Sequence, residues 1–316
     1  MKIAVLDDYQ EVARTFASWE RLGDRADVTF FHDHVSDEDA LAERLAPFAG
    51  IVAMRERTPF PRTLLERLPA LRLLVTTGMG NAAIDVAAAR SLGVTVCGTG
   101  MWGPGTAELT WGLILGLLRH IPAEDRLLRE GGWQATVGGD LSERRLGLLG
   151  LGRLGRQVAR VGLAFGMDVV AWSQNLRAED AAAVGVRAVE REEVLRTSDV
   201  VSIHLRLSGR TRGLVGAAEL ALMRPGALLV NTSRGPIVDT AALVDALRSG
   251  RLGGAALDVY DVEPLPAGHP LRDAPRTLLT PHIGYVTSAS YERCYADALQ
   301  DIEAFLDGEP VRVLDG

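Results

Sequence analysis

Short apolar runs alternate with longer amphipathic segments along most of the chain. Within the first hundred residues the apolar runs predict strands at Lys2–Leu6, Val28–Phe31, Ile51–Met54, Leu73–Thr76 and Val94–Cys97. Helical periodicity between these runs predicts helices that include Asp37–Ala46 and Ile84–Leu92. Because strands that alternate with helices are typical of parallel sheets, we predict an α/β unit for this part of the chain.

A second α/β series follows a cluster of glycine and proline at Gly98–Gly105, which is typical of a boundary or hinge. Its predicted strands are Arg145–Leu149, Val169–Trp172, Val200–His204, Ala227–Asn231, Ala255–Val259 and Leu278–Thr280. A long helical pattern at Thr106–Arg129 precedes this series, with a break or kink expected near Pro122. A last helix is predicted at Ser288–Leu306, and we expect it to pack on the first unit.

Charge and composition narrow the possible partners. The formal net charge is −7 with acids and bases interspersed, which argues against nucleic acid because phosphate binding needs a basic surface. No apolar run approaches the roughly 20 residues that span a bilayer, and the N-terminus is too soon acidic for a signal peptide. Two cysteines, Cys97 and Cys294, suggest neither a disulfide framework nor a metal site. We therefore expect a cytoplasmic protein without a metal.

The first motif with chemical content is a glycine-rich turn. The strand Arg145–Leu149 runs into G-x-G-x-x-G at Gly150, Gly152 and Gly155, and a helical pattern follows. The first glycine permits a tight turn, the second lets the backbone approach a pyrophosphate, and the third lets helix and strand pack closely. With the correct strand before it and helix after it, the motif predicts a dinucleotide site; the alternative is a structural turn.

Three later motifs identify a resemblance. They are Asn231–Asp239 (NTSRGPIVD), Ala256–Pro264 (ALDVYDVEP) and Thr280–Gly284 (TPHIG). Together with the glycine-rich turn, this ordered set resembles the D-isomer-specific 2-hydroxyacid dehydrogenases, which include glycerate, hydroxypyruvate and phosphoglycerate enzymes. The resemblance implies a Rossmann cofactor domain at 99–284, inserted into a flavodoxin-like substrate domain that is built from residues 1–98 and 285–316. Both domains are expected to contain doubly wound parallel sheets.

The resemblance also implies catalytic roles. Arg234 would bind the substrate carboxylate and the reacting oxygen, His282 would be the general acid–base, and Glu263 would pair with His282. These roles suit the chemistry, because ketone reduction needs a proton donor and a fixed cation near the oxygen. Histidine titrates near neutral pH, a neighbouring carboxylate orients its ring, and the arginine fork matches a carboxylate. A structural salt bridge, a plain turn residue and a packed histidine are the respective alternatives.

The expected cofactor is NADP or NAD. By resemblance, Asp258 would face the nicotinamide carboxamide and His204 would line the adenosine pocket. The other expected contacts are Thr106, Gly150, Gly152, Arg153, Leu154, Gly155, Ser173, Asn175 and Thr232. The acid expected on the ribose is missing after the strand that ends at Trp172, where Ser173 stands instead, and Arg177 follows nearby. Because that acid repels a 2′-phosphate, its absence predicts that NADP is used at least as well as NAD. A second departure is Arg206, where a proline is usual.

The substrate is expected to be a small, non-phosphorylated 2-keto or 2-hydroxy acid, as in glyoxylate and hydroxypyruvate reductases. Met79 and Gly80 align with the family loop whose backbone amides hold the carboxylate, and Arg57 is a further candidate contact. Arg55–Thr58 resembles the anion-binding stretch of phosphoglycerate enzymes, but Glu56 intrudes between the two arginines. A carboxylate there disfavours a nearby phosphate.

Two further expectations concern assembly and competing functions. The stretch Thr106–Arg129 is apolar on more than one face, and in relatives this region embraces a second subunit, so we predict a homodimer; burial within one chain is the alternative. The leading function is a dehydrogenase or reductase, and formate or phosphite oxidation is a weaker alternative within the enzymes. The alternative from another class is a cofactor-sensing binding protein of the co-repressor type.

Overall fold

The structure, a computed structural model, describes residues 1–101 and 103–315. The chain divides into two compact units, Met1–Gly103 with Val286–Gly316 and Pro104–Tyr285. The cluster predicted as a hinge spans this division, and its Trp102 lies outside the described residues. The first unit continues past residue 98 because Gly78 N donates to Thr99 Oγ1 (2.9 Å) and Gly100 N donates to Asp297 Oδ2 (2.8 Å).

A parallel sheet forms the centre of the first unit. In the described residues its strands are β1 (Lys2–Val5), β2 (Asp27–Phe30), β3 (Gly50–Ala53), β4 (Leu73–Thr76) and β5 (Thr95–Gly98). The helices before residue 103 are α1 (Glu38–Leu45), α2 (Arg62–Leu65) and α3 (Val86–Ser91). The strand order β2-β1-β3-β4-β5 is the flavodoxin-like order of a doubly wound sheet.

The second unit contains a longer parallel sheet. Its strands are β6 (Arg145–Leu149), β7 (Asp168–Trp172), β8 (Arg187–Ala188), β9 (Val200–Ile203), β10 (Leu228–Asn231), β11 (Gly254–Leu257) and β12 (Thr277–Leu279). Its helices are α4 (Gly105–Leu118), α5 (Ile121–Arg129), α6 (Arg153–Ala164), α7 (Ala178–Ala182), α8 (Arg191–Thr197), α9 (Ala217–Leu222) and α10 (Thr240–Arg248). The order β12-β11-β10-β9-β6-β7-β8 contains the Rossmann arrangement. The order in which successive strands are added reverses between β6 and β9, which are parallel neighbours. The predicted fold class is confirmed.

Both faces of the second sheet are buried, as in other parallel sheets covered by helices. Successive strand residues point to opposite faces, so Leu149 and Val201 belong to one apolar cluster and Leu148 and Val200 to the other. The first unit has its own apolar cluster around residues such as Ile51 and Leu74. The last helix, α11 (Ser288–Leu306), belongs to the first unit and buries one face there.

The long helix predicted at Thr106–Arg129 is in fact two helices, α4 and α5. The break lies at His120, which has a left-handed backbone (φ 53°), rather than as a kink at Pro122. Pro122 lies in the first turn of α5, where the missing N–H costs nothing. Helix α4 is buried around most of its circumference, whereas α5 has no buried residue. Within the described residues, no helix is both long and apolar enough to cross a membrane.

Candidate active site

The turn after β6 has the geometry of a phosphate cradle. Gly150 has φ +108°, and a Cβ there would lie 2.5 Å from the carbonyl oxygen of His204. A Cβ on Gly155 would lie 2.2 Å from the carbonyl oxygen of Gly150, so only glycine allows α6 to approach the turn. At Gly152, the N-cap of α6, a Cβ would meet no atom within 4 Å. The open space at Gly152 and the N-terminus of α6 therefore fit a pyrophosphate. Arg153 and Leu154 are the first residues of α6.

The end of β7 lies beside this turn. Ser173 Oγ accepts a hydrogen bond from the backbone N–H of Leu151 (3.0 Å), which places a neutral hydroxyl where NAD enzymes carry an acid. Asn175, two residues further along, is exposed. Arg177, which the sequence suggested as a positive charge for a 2′-phosphate, forms an ion pair with Asp180 (2.8 Å) on the exposed first turn of α7. Arg177 is the N-cap of that helix, and it shares its charge with Asp180.

His204 follows β9, at the same edge of the sheet. Its Nε2 lies 2.9 Å from Ser202 Oγ, and burial lowers the pKa of His204 to about 4. The ring is therefore neutral at physiological pH, which suits the wall of a pocket for an adenosine. Across the sheet edge, Thr232 Oγ1 is hydrogen-bonded to Thr110 Oγ1 (2.8 Å), and both side chains are buried.

Arg234 stands at the end of a turn that a buried asparagine shapes. Asn231, the last residue of β10, accepts the N–H of Ser233 on Oδ1 (3.0 Å) and donates from Nδ2 to the carbonyl of Arg234 (2.9 Å). The guanidinium of Arg234 donates to the carbonyl of Ser233 (2.7 Å). The Asn231 side chain thus binds backbone groups of the turn that follows the strand. These bonds hold the backbone of Arg234 in place.

Glu263 and His282 form the pair that the sequence predicted. Glu263 Oε2 lies 2.6 Å from His282 Nδ1, with side chains that are 27% and 20% exposed. The loops that carry the two residues follow β11 and β12, which are neighbouring parallel strands. Because Nδ1 faces the carboxylate, Nε2 is the nitrogen left to exchange a proton with a bound molecule.

Asp258 has a structural task in addition to any contact with a cofactor. It accepts hydrogen bonds from Thr280 Oγ1 (2.6 Å), Ile283 N (2.8 Å) and Gly284 N (2.9 Å). Burial raises the pKa of Asp258 although all three donors act in the opposite direction. Gly284 in turn accepts from Thr106 Oγ1 through its carbonyl (3.0 Å). Asp258 and Thr106 therefore hold the turn that carries His282, a role that sequence motifs alone do not show.

The expected substrate loop lies in the first unit, after β4. Asn81 braces it, since Nδ2 donates to the carbonyl of Arg55 (2.6 Å) and to Thr76 Oγ1 (2.9 Å). Met79 is 58% exposed, and a Cβ on Gly80 would meet no atom within 4 Å. Within residues 1–101 and 103–315, neither Met79 N nor Gly80 N donates a hydrogen bond. Two amides without a hydrogen-bond acceptor in the described residues, on a braced loop, fit the carboxylate-binding role.

The two arginines after β3 have different surroundings. Arg55 Nη1 donates to the carbonyl of Thr77 (3.1 Å), and its Nη2 lies 3.5 Å from Glu56 Oε1. Arg57 Nη1 donates to the carbonyl of Asp7 (2.6 Å), and its guanidinium lies over the ring of Tyr9 at 4.5 Å. Glu56 therefore lies beside the charge of Arg55, as the sequence suggested.

Comparisons with known proteins agree with this geometry. Residues 111–284 match the family model described as "D-isomer specific 2-hydroxyacid dehydrogenase, NAD binding domain". The chain is 40% identical over 256 residues to a glyoxylate reductase of Aeropyrum pernix, covering 78% of this chain and 76% of that protein. It is 30% identical to a hydroxypyruvate reductase of Blautia hydrogenotrophica, over 99% of both chains.

Solved structures show the same likeness. A phosphoglycerate oxidoreductase from Vibrio cholerae superposes with a TM-score of 0.92 at 40% identity, covering 98% of this chain and 99% of that one. Matches of this length and identity include the glycine-rich turn and the strand ends that carry Arg234, Glu263 and His282. The chain belongs to the D-isomer-specific 2-hydroxyacid dehydrogenase family and is an oxidoreductase that binds a nicotinamide cofactor.

Proposed function

We propose that this enzyme reduces a small, non-phosphorylated 2-keto acid, or oxidises the corresponding 2-hydroxy acid, with NADP or NAD. The observation that carries the proposal is the 2.6 Å contact between Glu263 Oε2 and His282 Nδ1 at the carboxyl edge of the second sheet. Reduction of a ketone needs a proton donor whose ring is held in one orientation, and this pair supplies it.

Each residue of the proposed site has a separate task. His282 Nε2 gives a proton to the oxygen as reduction proceeds and takes one back in oxidation, while Glu263 stabilises the charged ring. Arg234 holds the substrate carboxylate and the reacting oxygen, because its planar fork matches both. In the first unit, the amides of Met79 and Gly80 are proposed hydrogen-bond donors to a carboxylate, and Arg57 is a candidate substrate contact. The bound nicotinamide cofactor supplies or accepts the hydride.

The preference for a substrate without a phosphate rests on charge. Arg55 has Glu56 beside it at 3.5 Å, so part of the positive charge that a phosphate would need is already neutralised. A phosphate placed about 4 Å from the Glu56 carboxylate would meet a repulsion of ~1–4 kcal/mol between the dielectric limits of water and a protein surface. The second arginine, Arg57, contacts the ring of Tyr9 and donates a hydrogen bond to the carbonyl of Asp7.

The proposed use of NADP at least as well as NAD rests on Ser173. Its hydroxyl accepts from the glycine-rich turn and carries no charge that would repel a 2′-phosphate. The ion pair between Arg177 and Asp180 means that Arg177 adds little net attraction. The proposal is therefore a tolerance for both cofactors that comes from a missing carboxylate, with His204 and Asn175 as neutral neighbours of the adenosine end.

The proposed assembly is a homodimer through the second unit. Ile121 and Leu128 on α5 are 53% and 58% exposed, and Trp133 and Val137 in the next segment are 76% and 95% exposed. Glu124 accepts hydrogen bonds from the backbone of Ala135 (3.2 Å) and Thr136 (2.7 Å), which holds that segment against α5. An apolar surface that is uncovered in one chain fits a second copy of the same surface.

The experiment that tests the function is a turnover panel with purified full-length protein. NADPH and NADH are each offered with glyoxylate, hydroxypyruvate, pyruvate, bulkier 2-keto acids and phosphohydroxypyruvate. We expect substrate-dependent oxidation of the cofactor, with a higher kcat/KM for hydroxypyruvate than for its phosphorylated form. Cofactor binding without any substrate-dependent oxidation would instead support a cofactor-sensing protein, and a preference for phosphohydroxypyruvate would overturn the charge argument.

A further inference from the structure

Tyr260 lies at the centre of the loops that carry the proposed catalytic residues. It follows β11, lies between Asp258 and Glu263 in sequence, and is 7% exposed. Its hydroxyl lies 2.9 Å from the carbonyl oxygen of Thr280 and 3.2 Å from that of Leu257. The Tyr260 hydroxyl can therefore donate to a carbonyl at the end of β11 or to one just after β12, which links the two strand ends.

The carbonyl of Thr280 is also the acceptor for His282. The backbone N–H of His282 donates to it at 3.0 Å, and His282 has a left-handed backbone with φ 53°. A non-glycine residue keeps this conformation only where its surroundings impose it. Tyr260 therefore fixes the oxygen to which the amide of His282 is attached.

The backbone of Tyr260 acts on the other member of the pair. Its N–H donates to Glu263 Oε1 at 2.8 Å, which leaves Oε2 of the same carboxylate for His282 Nδ1 at 2.6 Å. A carboxylate that is held through one oxygen has a defined direction for the second. One residue thus orients Glu263 through its main chain and the turn of His282 through its side chain.

The third catalytic loop meets the same residue. A Cβ built on Gly235, the residue after Arg234, would lie 2.0 Å from the carbonyl carbon of Tyr260 and 2.2 Å from its oxygen. The two backbones are therefore in direct contact, and any shift of the Tyr260 peptide must move the segment that follows Arg234.

We propose that Tyr260 is a positioning residue that sets the alignment of Glu263 and His282 for proton transfer. The inference rests on the proposed acid–base role of His282. The charged groups near the Tyr260 hydroxyl are Asp258, Glu263 and Arg272, and those near the His282 ring include Glu263 and Asp258. Burial raises the pKa of the Tyr260 hydroxyl, so it remains a donor throughout the pH range of an assay.

The test is Tyr260→Phe, which removes the hydroxyl and keeps the ring. We expect kcat to fall ~3- to 10-fold, the size of one net hydrogen bond, with KM for the cofactor nearly unchanged. The imidazole of His282, followed by NMR with carbon-labelled histidine, should show changed ring chemical shifts because its contact with Glu263 loosens. This NMR measurement needs no substrate, so it tests the inference even if the turnover panel gives no activity.

The matched control is Tyr295→Phe. Tyr295 is a buried tyrosine of the first unit, and its hydroxyl has no hydrogen-bond partner within the described residues. This variant should leave kcat and the ring chemical shifts of His282 as in the wild type. Melting temperatures are measured for both variants. A Tyr260→Phe protein with wild-type kcat and wild-type ring chemical shifts of His282, or one that fails to fold, would assign Tyr260 to stability alone and overturn the proposal.

Discussion

At the scale of single residues, Glu263 uses its two carboxylate oxygens for different purposes. One accepts the N–H of Tyr260 at 2.8 Å and the other faces His282 Nδ1 at 2.6 Å. A carboxylate in this position favours the charged ring, which is the form that gives a proton in reduction. The pair is therefore expected to decide the pH range of each direction of the reaction.

Glu263→Gln should move the alkaline limit of keto-acid reduction to lower pH. An amide cannot stabilise the imidazolium as a carboxylate does, so the ring loses its proton at lower pH and the donor disappears earlier. The measurement is the pH profile of kcat/KM in the direction of reduction.

His282→Ala, which removes the acid itself, should lower kcat ~10²–10⁴-fold with cofactor binding nearly intact. An unchanged alkaline limit in Glu263→Gln, or wild-type turnover in His282→Ala, contradicts the assignment.

Ser173→Asp should shift the cofactor preference towards NAD(H). The new carboxylate would repel a 2′-phosphate and accept hydrogen bonds from the ribose hydroxyls. We expect a change of ~10-fold or more in the ratio of kcat/KM for NADPH and NADH, which corresponds to ~1.4 kcal/mol. Ser173→Asn is the neutral control and should leave that ratio nearly unchanged. A wild type that favours NADH by about two orders of magnitude would show that another group holds the ribose.

The residues found from sequence and those missed differ in one physical respect. Glu263 and His282 could be predicted because the motifs that contain them resemble those of a known family, and the parallel strands β11 and β12 bring the loops that carry them together. Tyr260 could not, since its role depends on a hydroxyl reaching a main-chain carbonyl of another loop. The pairing of Arg177 with Asp180 was accessible from sequence, because an N-cap residue and the residue three positions later lie close together at a helix N-terminus.

At the scale of elements, α4 and α5 show where an apolar pattern misleads. Both helices lie in the stretch predicted as one helix, yet α4 is buried within the unit and α5 exposes Ile121 and Leu128. The pattern indicates that both need burial but not whether the cover comes from the same chain. The break at His120 was also beyond the pattern, since a left-handed residue leaves no signal when it is not glycine or asparagine.

Leu128→Glu should weaken the proposed homodimer. A charge placed on the exposed apolar face of α5 would have to be desolvated in the interface, which is costly without a partner. Sedimentation equilibrium at micromolar concentration should give a dimer for the wild type and a larger monomer fraction for the variant. Leu92→Glu is the matched control, an equally drastic change at a leucine that is 40% exposed in the first unit. A wild type that is a stable monomer would contradict the assembly.

At the scale of the whole molecule, the alternation of strands and helices was sufficient to predict two parallel α/β units, since such strands must be covered on both faces. The two-residue strand β8 was missed because it is too short to produce a pattern. The first unit extends beyond the predicted boundary through hydrogen bonds of Thr99 and Gly100, which depend on partners distant in sequence. The local hydrophobic pattern thus predicts the two α/β units, whereas the boundary of the first unit depends on long-range hydrogen bonds.

The stability of the cofactor-free protein should depend on pH through His204. Burial lowers the pKa of His204 from 6.5 to about 4, so between these values the unfolded chain binds a proton that the folded chain does not. The contribution of His204 is therefore fully present above about pH 6.5 and is lost as the pH falls towards 4. Asp258 and Asp301 act in the opposite direction, because burial raises the pKa of both carboxyls, to about 7 for Asp301.

A comparison of variants separates the contribution of His204 from those of the two carboxyls. His204→Gln removes the titrating ring and keeps a polar group for Ser202, so its urea midpoint should fall less than that of the wild type between pH 7.5 and pH 5. His120→Gln, at an exposed histidine, should follow the wild type. Equal losses in His204→Gln and the wild type would show that His204 is protonated in the folded protein.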